Sequence, residues 1–241
     1  MPRVFMGTAP IPLIMTRPVE ANARFVAQLP MSLSGRLAVI ESPLIEIVPE
    51  RADFEIGAGE AVIFTSANGV RHAPGGQGRQ AFCVGQRTTE AAGAAGWESV
   101  FCGQTSDALV SSLLAAPPTA RLWHLAGRHT RGQIAERLTA GGLPVTRITV
   151  YDQALRPLTS QAKSVLQHGN PVILPVFSPR TAAQFAQECP ADACPHIVAL
   201  SEAVAAAMTH LNYASLEITS MPDAQTVVKC LEKVVARISL G

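Results

Sequence analysis

Thr65, Ser66, Asn68 and Gly69 stand together at the end of a short apolar run in AVIFTSANGVRHA, residues 61–73. Small polar residues directly after a buried strand can act as a nucleophile, cradle an anion, or cap the next helix. A serine nucleophile needs a base beside it, and none is evident near Ser66. The stretch therefore reads as an anion cradle, with plain helix capping as its alternative. Gly85 and Thr88 in VGQRT repeat the arrangement, and so do Ser178 and Arg180 in VFSPRTA and Ser201 in ALSEAV. Arg17 and Arg128 each follow an apolar run and would supply charge, either to an anionic ligand or to surface ion pairs.

Other chemistries find less support. GGQGRQA (75–81) has dinucleotide-loop spacing, but its glycines precede a strand instead of leading from one into a helix. Cys189, Cys194 and His196 are spaced like metal ligands, yet they lie in a proline-punctuated loop without a second cluster. His124 and His129 fall across a strand end and a turn, a poor geometry for one metal. No nucleophile elbow or Walker sequence is present.

The elements that must hold these residues repeat. AVIFTSANGV (61–70) pairs with PVILPVFSPRTAAQF (171–185), AFCVGQRTTEAAGAAGW (81–97) with HIVALSEAVAAAMTHLNY (196–213), and SVFCGQTSDALVSSLL (99–114) with SLEITSMPDAQTVVKCL (215–231). A further pair, PLIMTRPVEANARFVAQL (12–29) and RLWHLAGRHTRGQIAERL (121–138), occurs in the other order. One unit thus opens the chain, is interrupted by a whole copy, and resumes. Strands alternating with helices predict parallel α/β sheets. The expected architecture is two similar α/β domains, 1–41 plus 156–241 (discontinuous) and 51–147. Segments 42–50 and 148–155 are the two linker strands, able to pair as an antiparallel ribbon. In such sheets ligands bind at the carboxyl ends of the strands, where all the residues above are placed. If those loop faces oppose each other, the cleft between them suits a polycarboxylate or polyphosphate.

The chain has 241 residues, 48% of them hydrophobic and 15% charged, which describes a globular protein with room for real cores. Its net charge of +1 argues against a nucleic-acid partner. No run of eighteen apolar residues suggests a membrane span. The opening MPRVFMGTAPIPLIMTRP, broken by Pro10 and Pro12, lacks a signal-peptide core. Five cysteines without a C-x-x-C pair fit a reducing, cytoplasmic setting.

In order and spacing, LIMTRP, PLIEIVP, VIFTSANGV, VGQRT, ITVYDQA, VFSPRTA, ALSEAV and MPDA resemble the uroporphyrinogen-III synthase family over nearly the whole chain. The resemblance implies two α/β domains joined by a two-stranded ladder, and a cofactor-free cyclisation. Its substrate is hydroxymethylbilane, a linear tetrapyrrole octa-acid on the route to haem, sirohaem and cobalamin. The enzyme expels the hydroxyl as water, inverts the last pyrrole ring through a spiro intermediate and closes the macrocycle. Tyr151 matches the family tyrosine that assists hydroxyl departure, although an aromatic packing the ribbon is an equal reading. Thr88 matches the threonine of the family's V-G-x-x-T pattern and Ser66 and Ser178 its cradle serines, and all three are expected to bind substrate carboxylates directly or through neighbouring amides. A monomer that takes the bilane from hydroxymethylbilane synthase is expected, with no metal. A non-catalytic two-domain module that binds a polycarboxylate or tetrapyrrole is the alternative. Two departures stand out. Asp223 replaces a family threonine and reads as a helix cap, and Pro74 with its glycines cuts short the helix after TSANGV, leaving 74–80 as a loop, disordered or reshaped.

Overall fold

The computed structural model describes residues 9–130 and 132–240. The expectation about the first eight residues lies outside them. Two compact units result, one holding the chain up to Glu46 and from Leu155 onward, the other Ile47–Ala154.

The first unit opens with β1 (Ile11–Met15), α1 (Val19–Val26), α2 (Met31–Ser34) and β2 (Leu37–Glu41). The intervening chain forms β3 (Ile45–Pro49), β4 (Ala61–Phe64), α3 (Ala67–Arg71), β5 (Gln80–Cys83), α4 (Gln86–Ala94), β6 (Glu98–Phe101), α5 (Ser106–Ala115), β7 (Leu122–Gly127), α6 (Ile134–Ala140) and β8 (Val145–Leu155). The first unit then resumes with α7 (Ser160–Gln167), β9 (Ile173–Val176), α8 (Pro179–Glu188), β10 (His196–Ala199), α9 (Glu202–Ala205), β11 (Ser215–Ile218) and α10 (Ala224–Leu240).

In the first unit the strands lie in the order β11-β10-β9-β1-β2, all parallel. Alternation sends Leu13 and Met15 to one face, with Phe25, Leu231 and Val234, and Ile14 to the other, with Leu174, Phe185 and Ile197. Pro175 sits inside β9 and lacks an N–H, so it can donate to neither neighbour; the β1–β9 register is Leu13↔Ile173.

In the second unit the order is β3-β8-β7-β4-β5-β6. Read from its far end, β6-β5-β4-β7-β8 reproduces β11-β10-β9-β1-β2 strand for strand, with the equivalences that the repeat predicts. The second copy is therefore the same fold with its chain order permuted. β4 is buried at every residue because it is flanked by β7 and β5 and covered on both faces, which is why AVIF is uniformly apolar. The segments expected as linkers take part in this sheet. β8 pairs with β7 from Val145 to Tyr151, and β3 runs antiparallel beside β8, the Glu50 amide donating to Val150 O (3.0 Å) and the Arg156 amide to Leu44 O (2.9 Å).

α3 has five residues. The loop after it is tied down. Gly76 and Gly78 donate to the carbonyls of Ala95 and Gly96 at 2.9 and 2.8 Å, and the Arg79 guanidinium donates to the carbonyls of Ile56, Gly75 and Gly76. Among the described residues, no helix is long and apolar enough to cross a membrane.

Candidate substrate-binding site

Each sheet has one place where the strand order reverses direction, between β1 and β9 in the first unit and between β7 and β4 in the second. Ligands of open α/β sheets bind outside the carboxyl ends of strands at such switch points. The residues singled out in the sequence fall there or one strand away.

In the second unit Ser66 is the N-cap of α3, its Oγ accepting from the Asn68 amide at 3.2 Å. Thr65, Ser66 and Asn68 are half-buried at the end of β4. Gly69 is buried and does a different job. A Cβ there would stand 2.8 Å from Leu125 O, and its amide already donates to Ser66 O, so it lets α3 lie against β7. Gly85 caps α4 at φ +80°, a backbone conformation that favours glycine. Its carbonyl accepts from the amides of Thr88 and Thr89 at 3.1 and 3.2 Å. Thr88 is buried inside α4.

Arg128 follows β7, and its guanidinium meets Glu50 and, at 3.6 Å, Asp152. Of the two readings of this arginine, the structure displays the ion pair. His129 lies 3.7 Å from the same Asp152, whereas His124 is buried in mid-strand. No group of three His, Cys, Asp or Glu able to hold a metal occurs among the described residues.

Tyr151 is buried in the core with Trp123, Leu125 and Val150. Its ring centroid lies 5.8 Å from that of His72, the residue capping the C-terminus of α3. His72 also lines an open groove of about 540 Å³ with Glu50, Arg51, Phe54, Pro74 and Val150. Partial burial and the nearby Arg71 charge hold its pKa below the usual histidine value.

The first unit repeats the serine cap and the strand-end arginine. Ser178 caps α8, its Oγ accepting from the Thr181 amide at 3.1 Å and sharing a hydrogen bond with Thr181 Oγ1 at 2.8 Å. Pro179, at the first helical position, has no N–H to leave unsatisfied. Half-buried Arg180 follows it. Ser201 stands at the N-cap of α9 but makes no side-chain capping bond, so its hydroxyl is not spent on the helix. The Arg17 guanidinium lies 4.3 Å from the centroid of the Phe177 ring, bridging the ends of β1 and β9.

The switch point of each sheet carries a serine cap after one strand and an arginine after its neighbour, Ser66 with Arg128 in one unit and Ser178 with Arg17 in the other. The family model described as uroporphyrinogen-III synthase HemD matches residues 33–229. The chain belongs to the uroporphyrinogen-III synthase family. Family members are cofactor-independent lyases that cyclise hydroxymethylbilane in tetrapyrrole biosynthesis, and that is the activity of this fold and these motifs.

A solved structure agrees on the fold. The chain is similar to uroporphyrinogen-III synthetase from Helicobacter pylori 26695, at 12% identity and a TM-score of 0.64, covering 93% of this chain and 99% of that one. A mutant uroporphyrinogen III synthase from the extremely thermophilic bacterium Thermus thermophilus is similar at 11% identity and a TM-score of 0.48, over 94% and 99% of the two chains. No curated protein sequence matches.

Asp223 is the cap that its position suggests. Its Oδ1 accepts from the Thr226 amide at 2.8 Å at the start of α10, and that bond holds its carboxyl below the usual range. Asn22 escapes sequence reasoning. It is fully buried, accepts from the Arg17 amide at 3.1 Å and donates to Met15 O (3.2 Å) and to Glu41, setting the turn that presents Arg17. Arg147, which donates to the carbonyls of Gly127 and Arg128 at 2.8 Å each, escapes it as well. Arg147 acts on a turn about twenty positions away, and Asn22, although it bonds Arg17 five residues back, reads locally as an ordinary polar residue of a helix.

Proposed function

We propose that this chain closes hydroxymethylbilane to uroporphyrinogen III by binding its carboxylates at the switch-point residues and by protonating the departing hydroxyl from Tyr151. The observation that carries the reading is the five-strand order common to the two sheets, with an N-cap serine after β4 and again after β9. Helix starts offer amides with no partner inside the helix, and the helix dipole favours an anion by about 0.3–1 kcal/mol each, so several must act together. Thr65, Ser66, Asn68, Gly85 and Thr88 would serve one set of carboxylates, and Arg17, Ser178, Arg180 and Ser201 another. Arg128 would join only by exchanging Glu50 and Asp152 for substrate. Gly69 would contribute by allowing α3 its close approach to β7.

A phenol is a suitable donor because it stays protonated at neutral pH. The reaction otherwise needs positioning and exclusion of water from the cation left by hydroxyl loss. The two units are its two domains. We read the enzyme as a cytoplasmic monomer that receives the bilane from hydroxymethylbilane synthase.

A coupled assay tests the reading. Hydroxymethylbilane synthase generates the bilane, and the uroporphyrin isomers are separated after oxidation. Isomer III above the spontaneous isomer I is expected. Replacing Ser66, Thr88 and Ser178 together by alanine should raise KM by roughly a hundredfold if each loses about 1 kcal/mol of hydrogen bonding. Unchanged KM and kcat in a folded triple variant would remove these residues from the site.

A further inference from the structure

Tyr151 does not sit in a regular strand. Along β8, Ile148 and Val150 face the core that holds Trp123 and Leu125, as alternation requires. Tyr151 is the next residue, so it should face the other way, yet it lies in the same core. The cause is a register shift: Ala126 pairs with Thr149 but Gly127 pairs with Tyr151, skipping Val150. Irregularities of this kind re-aim one side chain at the expense of the ladder, and they gather beside active sites.

The shift is braced from both strands. Arg147 donates to the carbonyls of Gly127 and Arg128, and the Arg128 amide donates to Tyr151 O at 2.9 Å. Under the re-aimed ring lies Gly127, where a Cβ would stand 2.6 Å from Cε2 and Cζ and 2.9 Å from the hydroxyl oxygen. Any other residue would push the phenol out of place. His72 meets the same ring, its plane tilted 34° to it, and reaches the groove beyond. A tyrosine needed only to fill space could be replaced by the regular ladder with an apolar residue. The bulge, the glycine and the histidine all bear on the direction of one phenol.

We propose that Gly127 and His72 are positioning residues for Tyr151 in the cyclisation, Gly127 as the seat of the ring and His72 as its lateral stop. The inference rests on Tyr151 being the proton donor.

The test is a set of kinetic cycles on the full chain in the coupled assay. Tyr151→Phe is expected to lower kcat by about a hundredfold or more, the usual worth of general acid catalysis. Gly127→Ala displaces the ring by about 1 Å and should cost about a hundredfold in kcat, with KM changed by less than about twofold. The double variant Gly127→Ala with Tyr151→Phe should be no slower than Tyr151→Phe alone. His72→Ala, at a half-exposed position that does not threaten folding, should lower kcat about tenfold, and His72→Phe, which keeps a ring there, should restore most of it. That rescue also decides the matter if Gly127→Ala fails to fold. Should Tyr151→Phe be harmless, the donor reading and this inference fall together. Should Tyr151→Phe be costly while the Gly127→Ala loss multiplies with it, or while His72→Ala is silent, only the positioning roles fall.

Discussion

Acidification should destabilise this protein measurably through one histidine. His124 lies in the middle of β7, in register with Ile63 on one side and Arg147 on the other, and is 2% exposed. It follows Leu122 on the face covered by Ile134 and Leu138 of α6. Neither ring nitrogen has a hydrogen-bond partner among the described residues. Burial, reinforced by the Arg147 charge and opposed by Glu136, pushes its pKa down to about 4. In the unfolded chain it returns to about 6.5. Between those values the unfolded chain binds a proton that the native protein refuses, so stability rises with pH across that window and falls as acid is added. The integrated effect is about 2 kcal/mol less stability at about pH 5 than at about pH 7.5, levelling off near 3 kcal/mol below about pH 4. His124→Leu removes the titration along with an unpartnered buried polar ring, so at neutral pH it should be neutral or stabilising. Urea unfolding followed by tryptophan fluorescence reports the right unit, because Trp97 and Trp123 both belong to its core. Carboxylates and the other histidines titrate alike in both proteins and cancel in the difference. The variant's advantage should grow by about 2 kcal/mol from about pH 7.5 to about pH 5. Equal pH slopes in the two proteins would refute the argument.

Two further outcomes follow from packing and burial. Gly76→Ala places a Cβ 2.3 Å from Trp97 N and 2.4 Å from Gly96 C and O, all backbone atoms that cannot step aside, so the urea midpoint should fall by the equivalent of about 1–3 kcal/mol. A thiol reagent on the native protein should label exposed Cys194 quickly and leave Cys83 and Cys189 until denaturant is added, because burial raises their thiols to about 12 and about 11.

Much of this molecule is legible in local pattern. AVIF and its partner ILPV read as buried strands because a strand covered on both faces must be apolar throughout, Asp223 reads as a cap because a helix start needs an acceptor for its first amides, and capping is the alternative reading that the local pattern leaves open for Ser66 and Ser178. The permuted repeat, taken from spacing alone, foretells which strands are equivalent, and the two sheet orders agree with it. These features depend on neighbours a few residues away, so the sequence carries them openly.

Other features are decided only by folding. Arg128 meets Glu50 across seventy-eight positions of chain, and nothing local tells that guanidinium apart from one waiting for a ligand. Gly69 reads locally as a binding residue, yet its missing side chain answers to the Leu125 carbonyl on another strand. Pro74 and its glycines mark only a break in the helix at 74–80; that the segment is an anchored loop depends on Arg79 reaching Ile56 O and on the approach of Gly76 to Trp97. The shift that turns Tyr151 onto Gly127 depends on the pairing of two strands, and a pairing register is a property of both chains of residues together. Sequence patterns name the elements and their caps because those are short-range equilibria. Close approaches, ion pairs and bulges are settled by the packing of segments far apart in the chain, where only the tertiary structure can choose among partners of the same chemical type.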